Sequence, residues 1–235
     1  MNAKEILDEL KKLGSPGYKA TMLRHGAVEP IYGVKIEDMK KILKRTKTNY
    51  QLALDLYDTG ITDAMYLAGL MADDAKMTKK DIINWLEKAK SPWIAEYTVP
   101  WVAAGSPFGH ELAIEWIESK NAATAAAGWA TLGGLVASKP DSELDLDGLK
   151  QLLLRVQKTI HQAPGRVRYV MNSFVIAVGS SVKPLSSLAL QVAEKIGEVS
   201  VDMGNTDCKV PYAPDYIKKI EQRGSLGKKR KHLKC

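Results

Sequence analysis

Apolar residues recur at three- and four-residue spacings along almost the whole chain, and strand-like alternation is almost absent. In the first such segment, Ile6, Leu7, Leu10 and Leu13 share one face of a helix over residues 2–13. Pro, Ser, Thr and Asn residues bound the later segments, as is typical of helix ends. The pattern places these later helices at about residues 16–23, 35–46, 49–58, 61–73, 78–90, 92–104, 108–119, 121–138, 145–161, 164–182, 184–196 and 214–222. The sequence therefore predicts an all-α protein.

One pair of segments is visibly repeated. Residues 83–91 (INWLEKAKS) resemble residues 114–122 (IEWIESKNA), and another predicted helix follows each copy. Short helices in succession at this spacing predict an α-solenoid of two-helix repeats. Trp85 and Trp116 hold the same place in the two copies, and we interpret both as packing residues of the repeat core.

The chain changes character after residue 196. Residues 1–200 are predicted to form a single helical domain, and residues 201–223 a looped crossing segment followed by one short helix. Residues 224–235 form a basic tail that we expect to be mobile in isolation. The domain boundaries therefore follow the loss of helical periodicity rather than a linker of low complexity.

Positive charge is concentrated at the end of the sequence. The last 27 residues contain nine Lys or Arg and two acids, an excess equal to the net charge of +7 of the whole chain. Such an end favours a polyanionic partner, duplex DNA first, bound through phosphates. An anionic membrane is disfavoured because the run lacks bulky apolar anchors. The candidate DNA-binding residues of this end are Lys209, Lys218, Lys219, Arg223, Lys228, Lys229, Arg230, Lys231 and Lys234.

Two further arginines are candidates. Arg166 and Arg168 follow Pro164 at a predicted helix start, where free amide groups favour phosphate. A surface pair on an exposed turn is the equally good alternative.

Composition excludes several classes of protein. No run of 18 apolar residues is present, which excludes a membrane span, and the charged first ten residues do not form a signal peptide. Cys208 and Cys235 are read as reduced thiols of a cytoplasmic protein, and their spacing from His232 matches no compact metal motif. Phosphate-loop and nucleophile motifs are missing too. We expect a monomer with neither metal nor cofactor.

The helix order over about residues 15–200, and the phrase from Tyr97 to Ala104, resemble the HEAT-like-repeat DNA alkylation repair family. The resemblance implies HEAT-like repeats and, for active members, an alkylpurine DNA glycosylase. Those members have a Trp-Asp-Thr-Val-Asp run that ends on the catalytic Asp. Aligning its Thr-Val with Thr98 and Val99 puts Pro100 at the catalytic position and Glu96 at the Trp.

Two other positions implied by the resemblance are altered. The predicted helix over residues 121–136 contains no basic residue where the family has an Arg that holds the DNA backbone. The region from Tyr169 to Phe174 lacks the second Trp of active members. The resemblance therefore supports the family fold and not the family reaction.

Glu96 is the carboxylate that could replace the missing Asp. It borders the helix side that carries Trp93 and Trp101, and a glycosylase needs a carboxylate to stabilise the cationic deoxyribose. A solvated Glu96 is the favoured interpretation, because single carboxylates beside tryptophan are common. Pro100 is expected to kink the helix. Trp93, Trp101 and Trp129 are the candidate groove aromatics.

Three functions stay open at this point. The first is a DNA-binding family member with a degenerate site, which recognises DNA by backbone and shape. The second is an active glycosylase with a shifted carboxylate, and the third is a scaffold with a protein partner on its concave face.

Overall fold

A computed structural model describes residues 1–234. Within that range every regular element is helical and none is a strand, so the predicted all-α class is confirmed. Two compact units are distinguished. Unit 1 comprises residues 1–108, 203–207 and 234, and unit 2 comprises residues 109–202 and 208–233. The predicted boundaries at residues 200 and 223 stay predictions. Cys235 lies outside the described residues, so the interpretation of its thiol stays untested.

The helices of unit 1 are α1 (Ala3–Leu13), α2 (Pro16–Arg24), α3 (Ile36–Thr46), α4 (Tyr50–Tyr57), α5 (Thr62–Met71), α6 (Lys79–Lys88) and α7 (Val99–Gly105). A π-helical turn, Ile94–Thr98, runs directly into α7. The core of the unit is α5, all ten residues of which are buried. Its Asp63 is fully buried and accepts backbone N–H groups of Tyr32 at 2.6 Å and Val34 at 2.8 Å, so the carboxylate holds the loop before α3 in place.

The helices of unit 2 are α8 (Gly109–Trp116), α9 (Ala122–Ser138), α10 (Leu146–Thr159), α11 (Gly165–Ser181), α12 (Ser186–Ile196) and α13 (Ala213–Gln222). Three short 3₁₀ turns occupy Asp141–Glu143, Ile160–Gln162 and Lys183–Leu185. The centre of this unit is the pair α9 and α11, where Trp129 packs on Phe174 with ring centroids 5.2 Å apart. Gly128 lies so close to the backbone of Ile117 and Ala113 that a side chain would overlap it, which explains the small residues of α9.

Local signals place the helix ends close to where the sequence predicts them. The Thr78 side chain accepts the backbone N–H of Asp81 and completes a capping box, and Asn121 caps α9 through the N–H groups of residues 123 and 124. Trp85 and Trp116 are buried, at 1% and 4% exposure, which confirms both as core residues. Residues 197–212 contain no helix or strand, as predicted for the crossing segment.

No single helix among the described residues is long and apolar enough to cross a membrane; α11 and Lys183–Ile196 meet that test only together, as a pair bent by 112°.

Candidate nucleic-acid interface

An aromatic cluster surrounds the π-helical turn of unit 1. Tyr66 of α5 lies between two tryptophans, with ring centroids 6.3 Å from Trp93 and 5.4 Å from Trp101. The ring centroids of Tyr97 and Trp101 are 6.3 Å apart, and Tyr97 is 41% exposed. The Trp93 indole N–H donates to the carbonyl of His25 at 3.0 Å, which fixes its ring. The structure therefore brings Trp93 and Trp101 together through Tyr66, a residue the sequence did not single out.

Pro100 explains the wide turn that precedes it. Proline has no N–H, and its ring crowds the carbonyl four residues earlier, here that of Glu96. The backbone here forms a π-helical hydrogen bond, in which the Val99 N–H donates to the carbonyl of Ile94, five residues earlier. The predicted kink is thus a π-helical turn. Pro100 itself is buried and offers no ionisable group at the position where the resemblance puts the catalytic Asp.

Glu96 lies on the π-helical turn and is only 6% exposed. The favoured interpretation of a solvated side chain is therefore wrong. The turn directs residue 96 inward because the extra residue per turn rotates the following side chains relative to a regular α-helix. The catalytic role of Glu96 stays a prediction.

The third candidate aromatic belongs to the core of unit 2. Trp129 is 2% exposed, with Phe174 on one side and the Arg155 guanidinium 5.8 Å from its ring centroid. Trp129 is one of the residues that line a cavity of about 350 Å³, together with Arg155 and Pro164. Because its faces are covered, Trp129 cannot stack on a base unless the core repacks. The prediction that its ring lines an open groove is therefore wrong.

The two arginines at the start of α11 differ in their surroundings. Arg168 donates to the carbonyls of Ala163 at 3.0 Å and Ser200 at 2.8 Å, so its guanidinium joins the helix start to the crossing segment. The guanidinium carbon (Cζ) of Arg166 lies 4.7 Å from the centroid of the Tyr169 ring. Their role as phosphate ligands stays a prediction.

The basic tail is held against the protein, and the expectation of a mobile tail is wrong. The Lys229 ammonium donates to the Val136 carbonyl at 2.8 Å and pairs with Asp141 at 2.8 Å. The Arg230 N–H donates to Ala137 and the Gly227 N–H to Ser180. These carbonyls lie in the last turns of α9 and α11, where helices lack internal donors. The tail therefore caps two helices of unit 2.

Lys234 has a similar place in unit 1. Its ammonium donates to the carbonyl of Ala72, just after α5, at 2.7 Å and to Asp74 at 2.6 Å. Burial raises the pKa of Asp74, and the charge of Lys234 opposes that rise. Lys229 and Lys234 are each about one-fifth exposed, so two predicted DNA contacts are committed to the protein's own carbonyls and carboxylates.

The other candidate cations are exposed. Lys218 pairs with Glu194 at 2.8 Å, which neutralises it locally. Six of the candidate cations of the basic end then remain for a polyanion, and all are exposed to solvent: Lys209, Lys219, Arg223, Lys228, Arg230 and Lys231. Among the described residues no group of three His, Cys, Asp or Glu side chains could hold a metal ion.

Comparison with known proteins decides the family. A sequence model of the family described as DNA alkylation repair enzyme matches residues 6–213. The chain belongs to the DNA alkylation repair enzyme family. Uncharacterized proteins of Listeria innocua (Lin0241) and Listeria monocytogenes (Lmo0209) are 32% and 33% identical to this chain, over 92% of it and 95% of each relative.

A solved structure is similar to this member of the DNA alkylation repair family over the whole chain. It is described as a new family of proteins related to the HEAT-like repeat DNA glycosylases with affinity for branched DNA structures. It is 34% identical to this chain, covers 100% of both chains and superposes with a TM-score of 0.92. The predicted fold class, an α-solenoid of HEAT-like two-helix repeats, is thereby confirmed.

Proposed function

We propose that this protein binds DNA through its backbone and shape, with a preference for branched structures, and that its glycosylase site is degenerate. The observation that carries the proposal is the whole-length likeness, at 34% identity, to a protein with affinity for branched DNA. The exposed cations between Lys209 and Lys231 support it, since phosphate contacts need accessible charge. Pro100 supports the loss of catalysis, because a buried ring stands at the position where the family resemblance puts the catalytic Asp.

A salt titration tests this proposal. A labelled four-way junction and a linear duplex of the same length and composition are each titrated with protein by fluorescence anisotropy between about 50 and 200 mM salt. We expect tighter binding of the junction at every salt concentration, and a steep salt dependence for both. Equal affinities would overturn recognition of branched shape. Failure to bind either DNA at the lowest salt would overturn DNA binding altogether.

A second candidate function is base excision with Glu96 as the carboxylate. The observation that favours it is the burial of Glu96 on the π-helical turn, which Trp93 precedes and α7 with Trp101 follows, because a desolvated carboxylate stabilises a developing cation more strongly than a hydrated one. The test measures release of methylated purine from alkylated DNA by the wild-type protein and by Glu96→Gln. Glu37→Gln, a change at a well-exposed acid, is the control. No release, or release that Glu96→Gln leaves unchanged, counts against this function.

Three further predictions from the sequence accompany this proposal. A protein partner, a monomeric state and a cytoplasmic location stay predictions, and each is separable from DNA binding. Gel filtration before the titration settles the oligomeric state.

A further inference from the structure

The exposed face of α13 carries two tyrosines and two cations in one stripe. Tyr212, Tyr216, Lys219 and Arg223 are spaced by four, three and four residues, so they fall within about 60° of one another around the helix axis. All four are exposed to solvent. Tyr212 and Arg223 are the two capping positions of the helix, so the stripe runs along its whole length. We call these four residues the α13 stripe.

The opposite face of α13 is fixed to unit 2. Ile217 is fully buried and packs so closely on Gly179 of α11 that a side chain at residue 179 would overlap it. Before the helix, the Asn172 side chain donates to the carbonyl of Pro211 at 2.8 Å, which holds the backbone that leads into Tyr212. The α13 stripe is therefore presented by a rigid support.

The two tyrosine rings are unusually accessible. Tyr212 is 41% exposed and Tyr216 is 52% exposed, although an aromatic ring of this size gains most from burial. The exposed parts of these rings add nothing to the core of unit 2. Neighbouring large apolar groups left in solvent beside charged residues are typical of a surface that binds a partner.

The charges around the tyrosines favour an anion. Lys218 lies off the stripe and pairs with Glu194 at 2.8 Å, so the stripe keeps Lys219 and Arg223 as its cations. Asp215, also exposed, borders one side. Lys219 lies one turn beyond Tyr216, and Arg223 lies one turn beyond Lys219. Two rings followed by two cations suit a ligand that carries both flat apolar groups and negative charges, which is the chemistry of a nucleotide strand.

We propose that the α13 stripe is a platform for unpaired nucleotides of DNA, with Tyr212 and Tyr216 stacking on bases and Lys219 and Arg223 contacting phosphates. The stripe is about 16 Å long at 1.5 Å per residue. That length covers roughly five nucleotides at the 3.4 Å rise of one strand. The inference rests on the proposed function, because branch points are where DNA exposes unpaired or unstacked bases. A fully paired duplex keeps its bases inside, so it cannot use the rings.

Anisotropy with a labelled 20-residue oligothymidylate, the four-way junction and the paired duplex tests the inference on the full-length protein. We expect Tyr212→Ala and Tyr216→Ala each to weaken oligothymidylate binding by about fivefold or more, because alanine removes one stacking surface. Tyr212→Phe and Tyr216→Phe keep the ring and should stay within about twofold of wild type. Lys219→Gln and Arg223→Gln should each reduce the salt slope by about 0.7. Duplex binding should be unchanged by the tyrosine variants.

The outcomes separate the two proposals. If the wild type prefers the junction but the alanine variants bind oligothymidylate as it does, the α13 stripe is overturned and the proposed function stands. If neither junction nor duplex binds while oligothymidylate does, the proposed function fails and the stripe stands. A phenylalanine variant as weak as its alanine counterpart would overturn stacking.

A crosslinking measurement keeps the inference testable without any variant. A strand that carries 5-iodouracil is irradiated in complex with the wild-type protein, and the modified peptide is identified by mass spectrometry. Modification at Tyr212 or Tyr216 is the expected result. Modification confined to other aromatic residues, such as those around Trp101, would overturn the assignment.

Discussion

Lys234 donates a hydrogen bond to the carboxylate of Asp74 at 2.6 Å, although 160 residues separate the two in sequence. Gly105 makes room for this pair, because any side chain there would overlap the Asp74 carboxylate. Burial raises the pKa of Asp74 and the Lys234 charge opposes that rise. The last lysine of the chain therefore compensates a carboxylate that the fold has already desolvated.

Lys234→Met should destabilise the protein most at neutral pH. The variant leaves a largely buried carboxylate without its cation, which lowers the free energy of unfolding by about 1–3 kcal/mol. The Asp74 pKa is raised in the folded state, so protonation favours folding, and removal of Lys234 should raise this pKa further. The destabilisation should therefore be fully present above that pKa and shrink as the pH falls through it towards 4.

Urea melts of wild type and Lys234→Met between about pH 4 and pH 7 measure this difference. Asp74→Asn in the Lys234→Met background is the control, because it removes the charge and should remove the pH dependence of the difference. A decrease in stability that is the same at both pH values would contradict the pairing.

Lys229→Met should lower stability without changing DNA binding. The Lys229 ammonium donates to the last turn of α9 and pairs with Asp141, and a charged hydrogen bond of this kind contributes about 1–2 kcal/mol. Thermal melts and the salt slope with the four-way junction are the two measurements. A changed slope with an unchanged melting temperature would mean that Lys229 contacts phosphate instead.

The three exposed tail cations should behave in the opposite way. Replacing Lys228, Arg230 and Lys231 with glutamine removes charges that are open to solvent, so stability should change by less than about 0.5 kcal/mol for each. The salt slope for the junction should fall by about 2–3, near 0.9 for each phosphate that is no longer neutralised. The matched control replaces Lys4, Lys11 and Lys12 of α1, also exposed. An equal effect of the control would assign the change to net charge alone.

Helix positions could be predicted from the sequence because their signals are local. Thr78 and Asn121 accept N–H groups two or three residues away, and such contacts are visible as spacing. The partners of Lys229 and Lys234 lie 93 and 160 residues away. The sequence shows that the C-terminal segment is rich in Lys and Arg. Only the fold determines which of these residues contact helix ends.

The candidate site is predictable to the same extent. Pro100 signals an interrupted helix, and Trp93 and Trp101 beside it were identified from spacing, whereas Tyr66 was not. The inward placement of Glu96 was missed because it depends on a π-helical turn and on the close approach of α5. A glycine within the apolar run of α5, Gly69, is the signal that could have indicated that approach.

Gly69→Ala should disturb the π-helical turn directly. A methyl group on residue 69 would overlap the Cγ2 of Thr98, and both residues are buried. Overpacking of this kind costs about 1–3 kcal/mol. Thr98→Ser removes only the overlapping methyl, so the double variant should recover part of that stability, with a coupling energy of at least about 0.5 kcal/mol in a double-mutant cycle. Additive effects would show that α5 and the turn are not in rigid contact, and that the burial of Glu96 does not depend on Gly69.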